Sequence, residues 1–333
     1  MTPPLAAFSF LVSLLAMLGA AQLFAGRLDR VGLSLGLPEA LLGLLTALAA
    51  DSPEVASAVS ALVRGDHDVA VGIVVGSNAF NIAAMLGVGA IVAAGVRARP
   101  ESVVIEGFVG VWVTGVVCAL LAHAFDASVA LVLIALVIVP YVTLLVLGPR
   151  GVRRRHVPLL GRFLRRSFGE GHMAPRKPPS REEALLRPLL LLLVDLVVIV
   201  AASSLMVSSS VDLADAWGVP HALLGVLVLA VLTSLPNAVT GMRFSLHGRG
   251  SALVSETLNS NSINLIAGIA VPAAVASLGA LGDLGVFDVA WLVVLTGVAL
   301  ALFARRGGVS RRGGLLLVVL YGVFVVVQVL SLT

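Results

Sequence analysis

Apolar stretches close to the length of a membrane span recur from one end of the chain to the other, and no other feature limits its fold so strongly. A helix of ~20 apolar residues crosses the ~30 Å of hydrocarbon in a bilayer. Windows of this kind lie at approximately 5–26, 37–63, 68–96, 102–124 and 127–147, then 186–210, 219–242, 252–278, 287–304 and 313–331. The runs do not alternate polar with apolar residues, as the strands of a membrane barrel would. The expected class is therefore all-α: a polytopic membrane protein of ~10 transmembrane helices, with the lipid bilayer as its surroundings. Composition agrees, because only 12% of the 333 residues are charged, about half the ~25% of a soluble domain. Disordered, collagen-like, disulfide-scaffold and nucleic-acid-binding readings of the whole chain are thereby excluded, and no nucleic-acid partner is expected. The single cysteine, Cys118, lies inside an apolar run and has no partner for a disulfide or a thiolate metal site.

The charges sort by side. With the N-terminus outside, Arg64 alone of the 22 basic residues falls in an outer loop. Asp66, Asp68, Asp126, Asp212, Asp215, Asp283 and Asp288 occupy that same side. The positive-inside rule then sets both termini outside and an even number of spans, in a multi-pass protein of the cell membrane. Arg27 and Arg30 follow the first span rather than precede it, and no cleavage site is evident, so a signal peptide is not expected. One hydrophilic stretch, 148–185, divides the chain into a first repeat at 1–147 and a second at 186–333. It carries Arg153, Arg154 and Arg155 with the Pro178-Pro179 pair and reads as a basic cytoplasmic linker. Within it, Val157 to Phe168 has the composition of a short helix lying on anionic lipid, and equally that of a plain basic loop.

The two halves resemble each other. Gly36-Leu37-Pro38-Glu39-Ala40-Leu41-Leu42-Gly43 matches Gly218-Val219-Pro220-His221-Ala222-Leu223-Leu224-Gly225. Ser52-Pro53-Glu54 answers Ser234-Leu235-Pro236-Asn237, and Gly76-Ser77-Asn78-Ala79-Phe80-Asn81 answers Asn259-Ser260-Asn261-Ser262-Ile263-Asn264. From the proline to the last asparagine the spacing is 28 residues in both copies. Between Gly43 and Pro53 the first copy is one residue shorter. Because each half has an odd number of spans, the second copy enters the membrane from the opposite side. Inverted repeats with helices broken by proline and polar residues mark secondary transporters, with the site at the repeat interface.

This paired pattern, a Ser-(Leu)-Pro break followed in the next span by Ser-Asn-x-x-Asn, resembles the alpha-repeats of the sodium/calcium exchanger (cation/calcium antiporter) superfamily. The likeness is close over spans two, three, seven and eight. It implies an inverted five-plus-five bundle that exchanges Ca2+ for Na+, H+ or, in some branches, K+, with these inorganic cations as cargo and no resident cofactor. It also places Glu54 at the position of the family's ion-binding carboxylate.

The residues supply the chemistry such a role needs. Pro53 and Pro236 have no N–H, so the carbonyls of Ala49 and Leu232 lose their helical donors. Backbone irregular at membrane depth is tolerated only where it lines a cavity. Ser52, Thr233, Ser234 and the carbonyl of Ala50 offer hard oxygen ligands at the breaks. Ser77 with Asn81, and Ser260 with Asn264, each share a helix face and form the opposing wall. Buried acids are functional candidates by default: Glu54 first, then Asp51, where the family generally has a hydroxyl, then Glu256, one turn before Ser260. Glu106 and Asp195 are expected instead to be protonated and locally hydrogen-bonded. Glu39 and His221 stand at corresponding span entrances and mark the interface.

The largest departure from the family is Asn237, where a second glutamate is usual. One carboxylate and one amide leave a divalent ion undercompensated unless Asp51 or Glu256 restores the balance, and the missing residue before Pro53 bears on Asp51's placement. Without that compensation a monovalent Na+/H+ antiporter is the better reading. Asn259, where a glycine is expected, is a smaller departure that widens its helix crossing. From a different class, a cation channel or a non-transporting membrane scaffold stays open. An enzyme is poorly supported, since none of the six His residues lies beside a plausible nucleophile.

Overall fold

The computed structural model describes residues 1–35, 39–154, 183–276, 279 and 281–331. The first half comprises α1 (Pro3–Ser34), α2 (Glu39–Ala50), α3 (Ser52–Val63), α4 (His67–Asn81), α5 (Gly89–Val92), α6 (Pro100–Leu121) and α7 (Ala127–Arg154). The second comprises α8 (Glu183–Trp217), α9 (His221–Leu223), α10 (Ala230–Thr233), α11 (Leu235–Leu246), α12 (Gly250–Leu265), α13 (Asp283–Arg306) and α14 (Arg311–Leu330). Three π-helical turns, Ile82–Val88, Leu224–Leu229 and Ile266–Ala270, continue α4, α9 and α12.

Among the described residues, seven helices are long and apolar enough to cross a membrane, and the pair His221–Thr233 and Leu235–Leu246, bent by 47°, makes up to eight. The chain is a multi-pass membrane protein. The expected spans at 37–63 and 252–278 do not qualify, and the reason is physical. The first is broken at Asp51 into α2 and α3. The second is built on α12, whose serines, asparagines and Glu256 lower its hydropathy. Polarity sufficient to build a site has erased the signal of a span.

Burial ranks the helices. The span His67–Val92 is 89% buried, whereas Ala127–Val146 is 22% buried and turns Val132, Leu136 and Val139 outward. α4 is thus the hub, packed against α3 and α13 and against the π-turn Leu224–Leu229. α1 and α8, the opening helices of the two halves, lie along each other with Leu5, Phe8, Leu189 and Val197 exposed. α4 meets the Leu224–Leu229 turn at backbone distance. A Cβ on Gly76 would stand 2.4 Å from the Val226 carbonyl oxygen, and one on Gly225 would stand 2.6 Å from that of Val69. Small residues permit this approach, as in membrane helix pairs generally.

The loops fall on two faces. On one, the Met1 amine pairs with Asp212 at 2.8 Å, and His221 lies 3.0 Å from Asp215 and 3.6 Å from Asp66. On the other, β1 (Gly95–Arg97) pairs antiparallel with β2 (Gly308–Ser310), Gly95 opposite Ser310. This ribbon is a small addition to the all-helical expectation. Arg64, the one arginine on the acidic face among the described residues, is exposed and reaches Ser204. α7 continues to Arg154 and α8 starts at Glu183, so the described helices enter both ends of the 148–185 stretch. The segment Val157 to Phe168 lies outside the described residues.

Candidate functional site

Each half breaks its second span at the proline motif shared by the two repeats. Asp51 joins α2 to α3 with φ −81° and ψ −5°, and Pro53 follows in the first turn of α3, where a missing N–H costs nothing. The carbonyl of Ala49, freed by Pro53, is taken by the Ser52 hydroxyl at 2.7 Å. Ser234 joins α10 to α11 in the same way, with Pro236 in the first turn. Thr233 donates back to Leu229 at 2.9 Å and Ala230 at 3.2 Å. The one-residue difference between the repeats also has a place: α2 is a regular helix, whereas the second copy holds the π-turn Leu224–Leu229. A π-turn absorbs an extra residue without shifting the helix beyond it, and such turns concentrate at functional sites.

The side chains converge on Asn237. Its Nδ2 donates to Asp51 Oδ1 at 2.7 Å, to Glu54 Oε1 at 2.9 Å and to Ser260 Oγ at 3.3 Å. Ser260 in turn donates to the same Asp51 oxygen at 2.5 Å, and Asn81 Nδ2 donates to Ser260 at 3.1 Å. All five residues are fully buried. Asp51 Oδ2, Glu54 Oε2, Asn237 Oδ1, Asn81 Oδ1 and Asn264 Oδ1 have no hydrogen-bond partner among the described residues. Two buried carboxylates so close together repel each other, and their remaining oxygens are desolvated without compensation. An oxygen-binding cation relieves both penalties.

The remaining candidates lie around this cluster. Ser234 lies beside the Glu54 carboxylate, and Ala50 ends α2 at the break. Ser77 donates to the Ala230 carbonyl at 3.3 Å across the α4 crossing. Ser52 is only half-buried; it and Thr233 use their hydrogens on the backbone, which leaves their oxygen lone pairs for a cation. Glu256 is not hydrogen-bonded into the cluster. It is near enough to feel Asp51's charge, and its Oε1 is unpartnered among the described residues.

Two members of the site are not evident from the sequence alone. Asn78 Nδ2 donates to the Asn261 carbonyl at 3.0 Å, and Asn261 Nδ2 donates to the Asn78 carbonyl at 3.4 Å. Asn264 adds a bond to Asn78 Oδ1 at 3.1 Å. The reciprocal pair ties the two halves together about a local two-fold, and its signal is the Ser-Asn step shared by both motifs. Asp195 corrects an expectation. Its carboxylate pairs with the Arg27 guanidinium across α1 and α8 rather than forming a local neutral hydrogen bond. α1 runs on to Ser34, so Arg27 is a helical residue and not a loop charge. Glu106 does accept a hydrogen bond, from Ser255 at 2.5 Å.

Two broken helix pairs crossing at a cluster of acids and amides define a membrane protein of the sodium/calcium exchanger family, and the chain belongs to it: the family's sequence model matches residues 5–148 and 187–330. Particular relatives sharpen the comparison. The sodium-calcium exchanger NCX_Mj soaked with 2.5 mM Na+ and 1 mM Sr2+ superposes with a TM-score of 0.62 at 18% identity, over 97% of this chain and 98% of that one. The same exchanger soaked with 2.5 mM Na+ and 0.1 mM Ca2+ gives 0.58 at 18% identity, over 99% of each chain. At this identity the likeness establishes the fold. A putative antiporter, CaxA, of Alkalimonas amylolytica is 38% identical over 97 residues, which is 28% of this chain and 30% of that relative's length.

Proposed function

We propose that the chain is a secondary active antiporter that exchanges Ca2+ for Na+ or H+ by alternating access, with no catalytic chemistry of its own. The observation that carries this reading is the pair of fully buried carboxylates, Asp51 and Glu54, drawn onto one amide of the other half. The Asn237 N–H groups lie against both carboxylates, at the place a cation shared by Asp51 and Glu54 would take, and offset part of their negative charge. An arriving cation takes their place, and the amide turns Oδ1 towards it. Ser52, Ser77, Asn81, Thr233, Ser234, Ser260, Asn264 and the Ala50 carbonyl supply further oxygens. Asp51 thus takes over the charge that the family's second glutamate provides, from the opposite half. Supporting the transport geometry, 1–147 and 186–333 act as two inverted units joined by the basic segment at 148–185. The division of the loops into an acidic and an Arg-bearing face supports the latter as the cytoplasmic side of the cell membrane, with both termini outside.

The test is 45Ca2+ and 22Na+ uptake into proteoliposomes under imposed Na+ and pH gradients. Counter-gradient-driven Ca2+ uptake that is lost in Glu54→Gln is the expected result. The amide at position 237 keeps one rival in view: Na+ uptake driven by a pH gradient, with no Ca2+ flux, would make this a monovalent antiporter. Ohmic current without a counter-ion would make it a channel.

A further inference from the structure

Beside the Asn237 cluster, towards the Arg-bearing face, lies a second polar space, and Glu256, which is not hydrogen-bonded into the cluster, stands between the two. It is a cavity of about 440 Å³ between α6, α7 and α12, with Arg97, Arg99 and Arg249 at its mouth. Two acids line it. Glu106 on α6 is 3% exposed and Glu256 on α12 is 6% exposed, and each keeps one carboxylate oxygen, Oε2 and Oε1 respectively, without a partner among the described residues. The wall beside Glu106 is polar and hydrogen-bonded. Tyr141 donates to Asn259 Oδ1 at 3.0 Å, Asn259 Nδ2 reaches Ser255 Oγ at 3.4 Å, and Ser255 donates to Glu106 Oε1 at 2.5 Å.

The repeat shows why the space exists. Asn259 corresponds to Gly76, the residue that lets α4 touch its neighbour at backbone distance. With an asparagine in place of that glycine, the second half lines a cavity where the first half has a contact.

We propose that Glu106 and Glu256 form a second divalent-cation site, a station on the way from the Arg-bearing face to Asp51 and Glu54. This rests on the proposed transport function in placing the station on the ion's path. The donors are all oxygen, the set that hard cations take. Two buried carboxylates call for a charge of two, and a monovalent ion would leave one uncompensated. At about 30 Å³ per water the volume admits a cation with much of its hydration shell, so dehydration is divided between two stages. The arginines at the mouth oppose entry only weakly, because charges at an aqueous face are screened over ~8 Å. The Arg249 guanidinium is also held over the Phe244 ring at 5.0 Å.

Equilibrium 45Ca2+ binding to the purified full-length protein tests the site. The wild type should bind two Ca2+ per chain, Glu54→Gln one, Glu106→Gln with Glu256→Gln one, and the triple variant none. In oriented proteoliposomes the Glu106→Gln, Glu256→Gln protein should need roughly tenfold more Ca2+ for half-maximal uptake from the Arg-bearing face. The requirement from the acidic face should not change. The paired change of both residues to Asp, which keeps the charges, should restore the second ion and shows that loss does not reflect misfolding. The site is overturned if the double Gln variant binds as many Ca2+ as the wild type, or if its half-saturation shifts equally from both faces. Failure of the central reading looks different: Glu54→Gln would then retain flux and stoichiometry, while the effect of the double variant still decides the vestibule.

Discussion

One nitrogen of Asn237 faces three acceptors with two hydrogens to give, so the amide is shared among Asp51, Glu54 and Ser260 rather than owned by any of them. On the proposed transport reading, a cation that displaces the amide from one acceptor leaves it others to bond, so the buried donor is not stranded at full cost. Charge arithmetic then predicts how the two acids differ from their neutral variants. Asp51→Asn should weaken Ca2+ binding far more than Na+ binding, because the divalent ion gains more from each negative charge. Removing one partner of a buried charged pair costs roughly 3–5 kcal/mol, so Ca2+ affinity should fall by about a hundredfold or more. Asp51→Asn combined with Asn237→Glu returns the second carboxylate and should recover part of that loss in an isothermal titration with Ca2+. Equal losses for both ions, with no recovery, would reduce Asp51 to a structural role. The identity of these residues is legible in the sequence, because Asp51, Glu54, Asn237 and Ser260 stand at repeated positions in otherwise apolar runs. Their bonding is not. Spacing along a helix fixes which residues share a face, but not that one amide spans two acids from the other half. Asn78 and Asn261 are marked only by the repeated Ser-Asn step, and their bonds to each other's backbone do not follow from it.

Elements carry a second kind of information, most of it in small residues and in chain length. The one-residue excess of the second repeat is countable, but its form as the π-turn Leu224–Leu229 is not, since hydrophobic period alone does not separate α from π winding over six residues. That turn lies against Gly72 and Gly76 of α4, so its backbone is one wall of the crossing. Gly76→Ala should therefore overpack the interface, destabilising the protein by ~1–3 kcal/mol and lowering the midpoint of thermal unfolding in detergent. Gly115 in α6 gives the control: its added Cβ meets nothing within 4 Å. Gly115→Ala should leave the midpoint unchanged or raise it, by up to ~1 kcal/mol of helix propensity. Similar losses at both glycines would mean that the α4 crossing is not specially tight. The helix count is the element-level expectation that apolarity cannot carry. α12 spends its polar residues on the site and loses the hydropathy of a span, and the break at Asp51 leaves α2 and α3 too short to count as one.

For the whole molecule, the sorting of charges between loops is readable because each loop needs only its own residues to be counted. The contacts agree with it: Met1 with Asp212 and His221 with Asp66 and Asp215 on one face, the β1–β2 ribbon on the other. Arg27 is misplaced by the same counting, since a charge just beyond an apolar window reads as a loop residue even when the helix continues past it and supplies a partner such as Asp195. Which face meets the cytoplasm follows from the Arg bias alone, and that can be tested directly. In a Cys118→Ala background, single cysteines at Asp126, Asp283 and Gly248 probe exposed positions. A membrane-impermeant maleimide should label the first two in intact cells, and Gly248→Cys only after permeabilisation. Labelling of Gly248→Cys alone in intact cells would reverse the orientation while leaving the two faces as they are, and the cation station of Glu106 and Glu256 would then open outward. Labelling of all three from one side would break the division into faces, and with it the inverted arrangement on which alternating access depends.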